Sequence, residues 1–117
     1  MKQFRLRIIT QNQNKKEKAQ ETADLICKKI ELVKTVEIEK YDKFENSYKI
    51  ELCGEFVENE SSIYQSIELT SRLCSPWIVT FKKDEQEVEL IFNENQTSKF
   101  TEQILNTISW AYFCVEN

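Results

Sequence analysis

Pro76-Trp77-Ile78-Val79-Thr80-Phe81-Lys82-Lys83-Asp84-Glu85-Gln86-Glu87-Val88-Glu89-Leu90-Ile91-Phe92-Asn93 is the stretch on which the fold turns. Apolar residues alternate in both halves, Trp77, Val79 and Phe81 before the polar break at Lys83 to Gln86, and Val88, Leu90 and Phe92 after it. Strict alternation marks half-buried strands, because successive side chains leave opposite faces of a sheet. The stretch therefore reads as a β-hairpin whose inward face carries three aromatic rings. Thr80, Lys82, Glu87 and Glu89 point outward, with Ile78 and Ile91 as apolar intrusions. The remainder of the chain is expected to cover the inward face.

Working outward, Gln3 to Ile9 alternates Phe4, Leu6 and Ile8 with Arg5, Arg7 and Ile9 and predicts a first strand. The polar run Gln11 to Asn14 is a loop, with Asn14 as N-cap of a helix from Lys15. Ala19, Ala23, Ile26, Cys27, Ile30 and Val33 recur at spacings of three and four and form its apolar stripe. Thr35 to Tyr41 and Tyr48 to Gly54 alternate again and predict a second hairpin, turning at Asp42 to Asn46 and ended or bulged at Gly54. A second helix follows, with Ile63, Ile67, Thr70 and Cys74 inward and Pro76 as its stop. Beyond the Pro76–Asn93 hairpin, Phe100, Ile104, Ile108, Ala111 and Val115 predict a third helix, widened by Leu105 and Tyr112, with Trp110 and Phe113 further round.

The expected order is β-α-β-β-α-β-β-α in one domain, residues 1–117. Right-handed crossovers turn this into an α+β, ferredoxin-like split β-α-β sandwich, an antiparallel sheet with its helices on one face. Its other face would present Arg5, Arg7, Glu37, Glu39, Lys49, Glu51, Lys82, Glu87 and Glu89.

Composition narrows the chemistry. The chain has no histidine and one glycine, Gly54. That closes triads, imidazole acid–base chemistry and histidine metal sites, and it closes the glycine-rich loops that let backbone amides approach phosphate. Cys27, Cys53, Cys74 and Cys114 are scattered without a C-x-x-C pair and read as buried small hydrophobes of a reducing compartment. No apolar run is long enough to span a bilayer and the N-terminus lacks a signal-peptide core, so the expected location is cytoplasmic. No cofactor, metal or enzymatic activity is expected.

Formal charge is −4, but it is unevenly spread: residues 1–34 hold nine Lys or Arg against four Asp or Glu, and residues 35–95 hold six against fourteen. An acidic middle argues against nucleic acid and favours a basic protein partner. On the open face Glu37, Glu39, Glu51, Glu87 and Glu89 would share one side of the sheet. Cross-strand pairing with Arg5, Arg7, Lys49 and Lys82 is the plainest use for them, and a protein-binding face the next; an open sheet face lacks the dry concavity that metal or acid–base work needs. The loop acids add to this surface, and Tyr41, Tyr48, Tyr64 and Trp110 are the aromatic candidates for a binding centre.

In size, acidic middle and closing pattern, Val88 to Phe92 and then Ile108-Ser109-Trp110-Ala111, the chain resembles immunity proteins of bacterial polymorphic toxin and contact-dependent growth inhibition systems. The resemblance covers the whole chain in style rather than through a motif. It implies a cytoplasmic antidote that occludes a cognate toxin domain, such as a basic nuclease, by binding alone. On that expectation the contacts are Glu37, Glu39, Asp42, Glu45, Asp84, Glu85, Glu87 and Glu89, on a monomer or homodimer. The alternative is a ferredoxin-like regulatory or small-ligand-binding domain.

Overall fold

The alternation at the N-terminus produces the strand on which the sheet is assembled. In β1 (Gln3–Thr10) Phe4, Leu6 and Ile8 are fully buried, whereas Arg5 and Arg7 leave from the opposite face. The computed structural model describes residues 2–84 and 87–116. After β1 come α1 (Lys16–Lys29), β2 (Val33–Lys40), β3 (Tyr48–Glu55) and α2 (Ser62–Ser71). The chain continues through β4 (Cys74–Ser75), β5 (Ile78–Lys82), β6 (Glu87–Asn93), β7 (Lys99–Phe100), a 3-10 turn (Gln103–Thr107) and β8 (Ile108–Glu116).

The protein is thus mixed α+β, with a six-stranded antiparallel sheet in the order β2-β3-β1-β8-β6-β5; β4 and β7 pair separately. Phe4, Leu6 and Ile8 join Ile50 and Leu52 of β3, Leu90 and Phe92 of β6, and Ala111 and Phe113 of β8. Ala19, Ala23 and Ile26 of α1 and Leu69 of α2 belong to the same cluster, so both helices cover one face of the sheet. Phe4 stacks on Phe113 at 5.0 Å and tilts against Phe56 at 5.2 Å between ring centroids.

The predicted third helix is not formed. Ile108 to Glu116 is instead the long strand β8, inserted between β1 and β6. Ile108 to Val115 contains no charged residue and only Ser109 as a strongly polar one, so that run cannot supply the polar face that a surface helix shows to water. Read with period two, Ala111 and Phe113 enter the core and Trp110, Tyr112 and Cys114 the opposite face, as its aromatic content favours. The ferredoxin-like order changes with it. β1 and β2 still flank β3 and are joined by α1, but α2 delivers the chain to the far edge of the sheet and β8 fills the place beside β1.

Smaller corrections follow from packing. The β5–β6 hairpin forms as expected, with Val79 opposite Leu90 and Phe81 opposite Val88. It lies at the edge of the sheet, however, and Val79 and Phe81 remain 46% and 50% exposed because α2 packs over β6. The inner face of α2 is Gln65, Ser66, Leu69 and Thr70, while Ile67 is exposed and Cys74 lies beyond the helix. Gln65 can be buried because its amide closes a loop, accepting from Val57 N at 2.8 Å and donating to Val57 O and Glu60 O. Lys15, not Asn14, occupies the N-cap of α1. Gly54 neither ends nor bulges β3: it pairs with Phe4 on one side and Val33 on the other. Of the cysteines, all free, Cys74 alone is buried and the other three are half-buried.

Candidate functional site

The register of the sheet arranges its helix-free face in rows. Lys34, Cys53, Arg5, Cys114, Glu89 and Thr80 follow one another across the strands in one row; Glu37, Glu51, Arg7, Tyr112, Ile91 and Ile78 form the next. Glu39, Lys49, Ile9, Trp110 and Asn93 form a third. This face carries both charge and aromatic surface.

Its charges are largely matched across strands. Glu51 receives Arg7 Nε at 2.9 Å and Arg5 Nη1 at 3.2 Å, and Arg5 Nε also reaches Glu116 at 2.7 Å. Lys49 Nζ lies 2.6 Å from Glu39, and Lys82 Nζ 3.4 Å from Glu89, which also accepts the Tyr112 hydroxyl. Exposed pairs of this kind contribute ~0–1 kcal/mol each, so their role is to fix side chains more than to stabilise the fold. The phenol of Tyr112, then Lys82, holds the Glu89 carboxyl below the usual range, and Tyr112 itself is raised well above the usual phenol. The neighbouring Glu39 carboxylate pushes the Glu37 carboxyl up, while Glu39 is pulled down, first by Lys49.

At the β2–β3 end the face is concave. Arg7, Ile9, Lys49, Ser109 and Trp110 of the sheet, with Tyr41 and Phe44 above them, line a hollow of about 440 Å³. A concavity therefore exists where flat sheet was expected, because the loop from Tyr41 to Ser47 rises over the strand ends. Local bonds hold that loop: Tyr41 N donates to Ser47 O, Asn46 takes the left-handed conformation at φ 54°, and Asn46 O accepts from Gln13 N at 2.9 Å. Asn is among the residues that tolerate this conformation. Gln13 is buried and anchored by Thr10 at 2.5 Å and Thr22 at 2.9 Å. The Tyr41 and Phe44 rings lie 6.0 Å apart, and Trp110 stacks on Tyr112 at 6.2 Å with planes 14° apart.

The eight expected contact residues do not converge. Glu37 and Glu39 lie on edge strand β2, and Asp42 and Glu45 are exposed on the loop that supplies Tyr41 and Phe44. Glu89 and Glu87 lie on β6 and Asp84 in the exposed β5–β6 turn; Glu85 falls outside the described residues. Four strand spacings separate β2 from β6, about 19 Å. Glu87 is corrected as a contact: it is 4% exposed and its carboxylate lies 3.8 Å from Lys2 Nζ. Trp110, named as an aromatic candidate, takes its place through β8 rather than a helix. Tyr112, Phe44, Arg7 and Ile9 were not singled out for binding. The charge-free run Gln103 to Val115, read in steps of two, was the signal that could have found Tyr112 beside Trp110.

Among the described residues no cluster of three metal-ligating side chains is present, and no helix is long and apolar enough to cross a membrane. Compared with protein-family models, curated proteins and solved structures, the chain gives no match in any of the three.

Proposed function

We propose that this protein is a binding inhibitor of the immunity kind, which engages a basic domain of a cognate toxin through the helix-free face of its sheet. The observation that carries the reading is the aromatic hollow of Trp110, Tyr41 and Phe44, set beside Glu37, Glu39, Asp42 and Glu45. Stable interfaces combine a desolvated aromatic centre with a polar rim, and acidic residues at the rim speed encounter with a basic partner. Matched pairs such as Arg7–Glu51 and Lys49–Glu39 support it by presenting fixed donors and acceptors around that centre. The acids of the β5–β6 end lie outside this patch, so the reading narrows from eight acidic residues to four.

The test is native mass spectrometry of the tagged protein recovered from its host, at low and high salt, followed by titration of the captured domain. A stoichiometric complex with a basic domain, loosened by salt and weakened at least ~30-fold by Trp110→Ala, is expected. Recovery of only the bare chain, or a complex indifferent to Trp110, refutes it. A second reading has an observation of its own. The hollow is within the size range of small-molecule sites and has Arg7 and Lys49 among its walls, which suits an anionic ligand of a ferredoxin-like regulatory domain built on the β1-α1-β2 unit around β3. A ligand-dependent rise in melting temperature, lost in Arg7→Ala, would favour it.

A further inference from the structure

The two edges of the sheet are built differently. A sheet edge presents unpaired backbone donors and acceptors, which proteins protect with charge, bulges or cover. β2 has such protection: Lys34, Glu37, Glu39 and Lys40 lie along it and its pairing shifts register between Thr35 and Glu37. β5 has much less. Among the described residues it pairs with β6 alone, runs Ile78-Val79-Thr80-Phe81 without a charge before Lys82, and keeps a regular register throughout. Ile78 is 62% exposed, and Val79 and Phe81 are about half exposed.

We propose that β5 is a self-association edge, where a second copy of this chain adds its own β5 antiparallel about a two-fold axis through Thr80. The pattern is self-complementary. With Thr80 opposite Thr80, Val79 faces the partner's Phe81 twice on the helix side of the sheet. On the other side, Ile78 faces the partner's Lys82. No like charges are opposed, and each Lys82 is already drawn to its own Glu89 at 3.4 Å. Aromatic against β-branched is a favourable cross-strand pair. The dimer continues the sheet from six strands to twelve and leaves the Trp110 hollow, which lies on the far side of β6 and is walled by β8 and β1, open on each copy. A seam of one five-residue strand per copy is small, so the dimer is a weak one that forms and dissociates with concentration.

Cysteine cross-linking tests the register, in a background with the half-buried Cys27, Cys53 and Cys114 changed to serine and only the buried Cys74 retained. Opposed residues in an antiparallel pair lie ~4.5–5.5 Å apart at Cα, within disulfide reach, so Thr80→Cys should join two chains under mild oxidation. Two Lys82 residues would be about 14 Å apart, four residues along the strands, so Lys82→Cys is the matched control. The expected result is a species of twice 14.0 kDa formed at least ~10-fold faster by T80C than by K82C or the background chain. Sedimentation should show a monomer–dimer equilibrium that Phe81→Lys weakens at least ~10-fold, with circular dichroism reporting an unchanged fold. Equal cross-linking of T80C and K82C, a monomer at every concentration up to about 1 mM, or an assembly larger than a dimer overturns the proposal. So does a dimer insensitive to F81K.

Discussion

Replacing Gly54 with alanine tests the packing at the heart of the sheet. Gly54 lies between β1 and β2, and a β-carbon added there would stand 2.4 Å from Phe4 Cζ, 2.9 Å from Phe4 Cε2 and 2.7 Å from the Leu32 carbonyl oxygen. Neither neighbour can retreat easily. The Phe4 ring is rigid, fully buried and held between Phe56 and Phe113. The Leu32 carbonyl is backbone, accepts from Glu55 N at 3.2 Å, and belongs to a residue already at φ 59°. Overpacking a tight site costs ~1–3 kcal/mol, and with both obstacles fixed the upper part of that range, about 2–3 kcal/mol, is expected. For a chain of this size this lowers the melting midpoint by roughly 8–12 °C. Urea unfolding followed by circular dichroism measures it directly. Phe4→Leu removes the ring tip, so the double variant G54A/F4L should be less destabilised than the two single changes added together, by at least ~1 kcal/mol. A G54A variant within about 0.5 kcal/mol of the parent, or strict additivity with F4L, would falsify the close-approach argument.

Three further outcomes follow from the same geometry. Gln13→Leu removes the amide that joins Thr10 to Thr22 and should lower stability by about 1–3 kcal/mol while speeding hydrogen exchange in residues 41–47; an unchanged exchange pattern there would mean that the loop is held without Gln13. Tyr112→Phe should let the Glu89 carboxyl titrate closer to its ordinary value in a carbon-detected NMR titration, and an unmoved midpoint would remove the phenol as the cause. Because the folded pKa of Glu89 is depressed, its contribution to stability is present above the ordinary Glu range of about 4.3 and is lost as pH falls through the folded value; the gap between parent and Y112F should therefore close in acid. Burial pushes the Cys74 thiol up to about 12, so iodoacetamide at pH ~8 should leave it unlabelled until the protein is unfolded, and rapid native labelling of Cys74 would refute that environment.

Much of the architecture was legible locally. Strands β1, β2 and β3, the β5–β6 hairpin and the apolar side of α1 follow from periods of two and of three to four, since burial of one face imposes them directly, although α1 ends at Lys29 and Val33, expected on its stripe, opens β2. Parity alone also put Arg5, Arg7, Glu39, Lys49 and Glu51 on one face, where both arginines pair with Glu51 and Lys49 pairs with Glu39. The site was less legible. Phe44 and Tyr41 become walls only when Gln13 and Asn46 fold their loop back, and Glu87 has the parity of Glu89 yet is buried beside Lys2 from the other end of the chain.

What the amino-acid sequence determined by itself is therefore which residues form short alternating segments and which of their sides is polar. Tertiary structure decided which strands are neighbours. Ile108 to Val115 has apolar residues at both periods, and its choice of strand over helix depends on β1 and β6, whose Arg7 and Ile91 stand opposite Tyr112 from distant parts of the chain. Backbone hydrogen bonds on both sides and a core contact through Ala111 and Phe113 reward the extended form, and neither is visible in a local window. With that strand in place Trp110 and Tyr112 reach the open face, and the hollow acquires its aromatic wall.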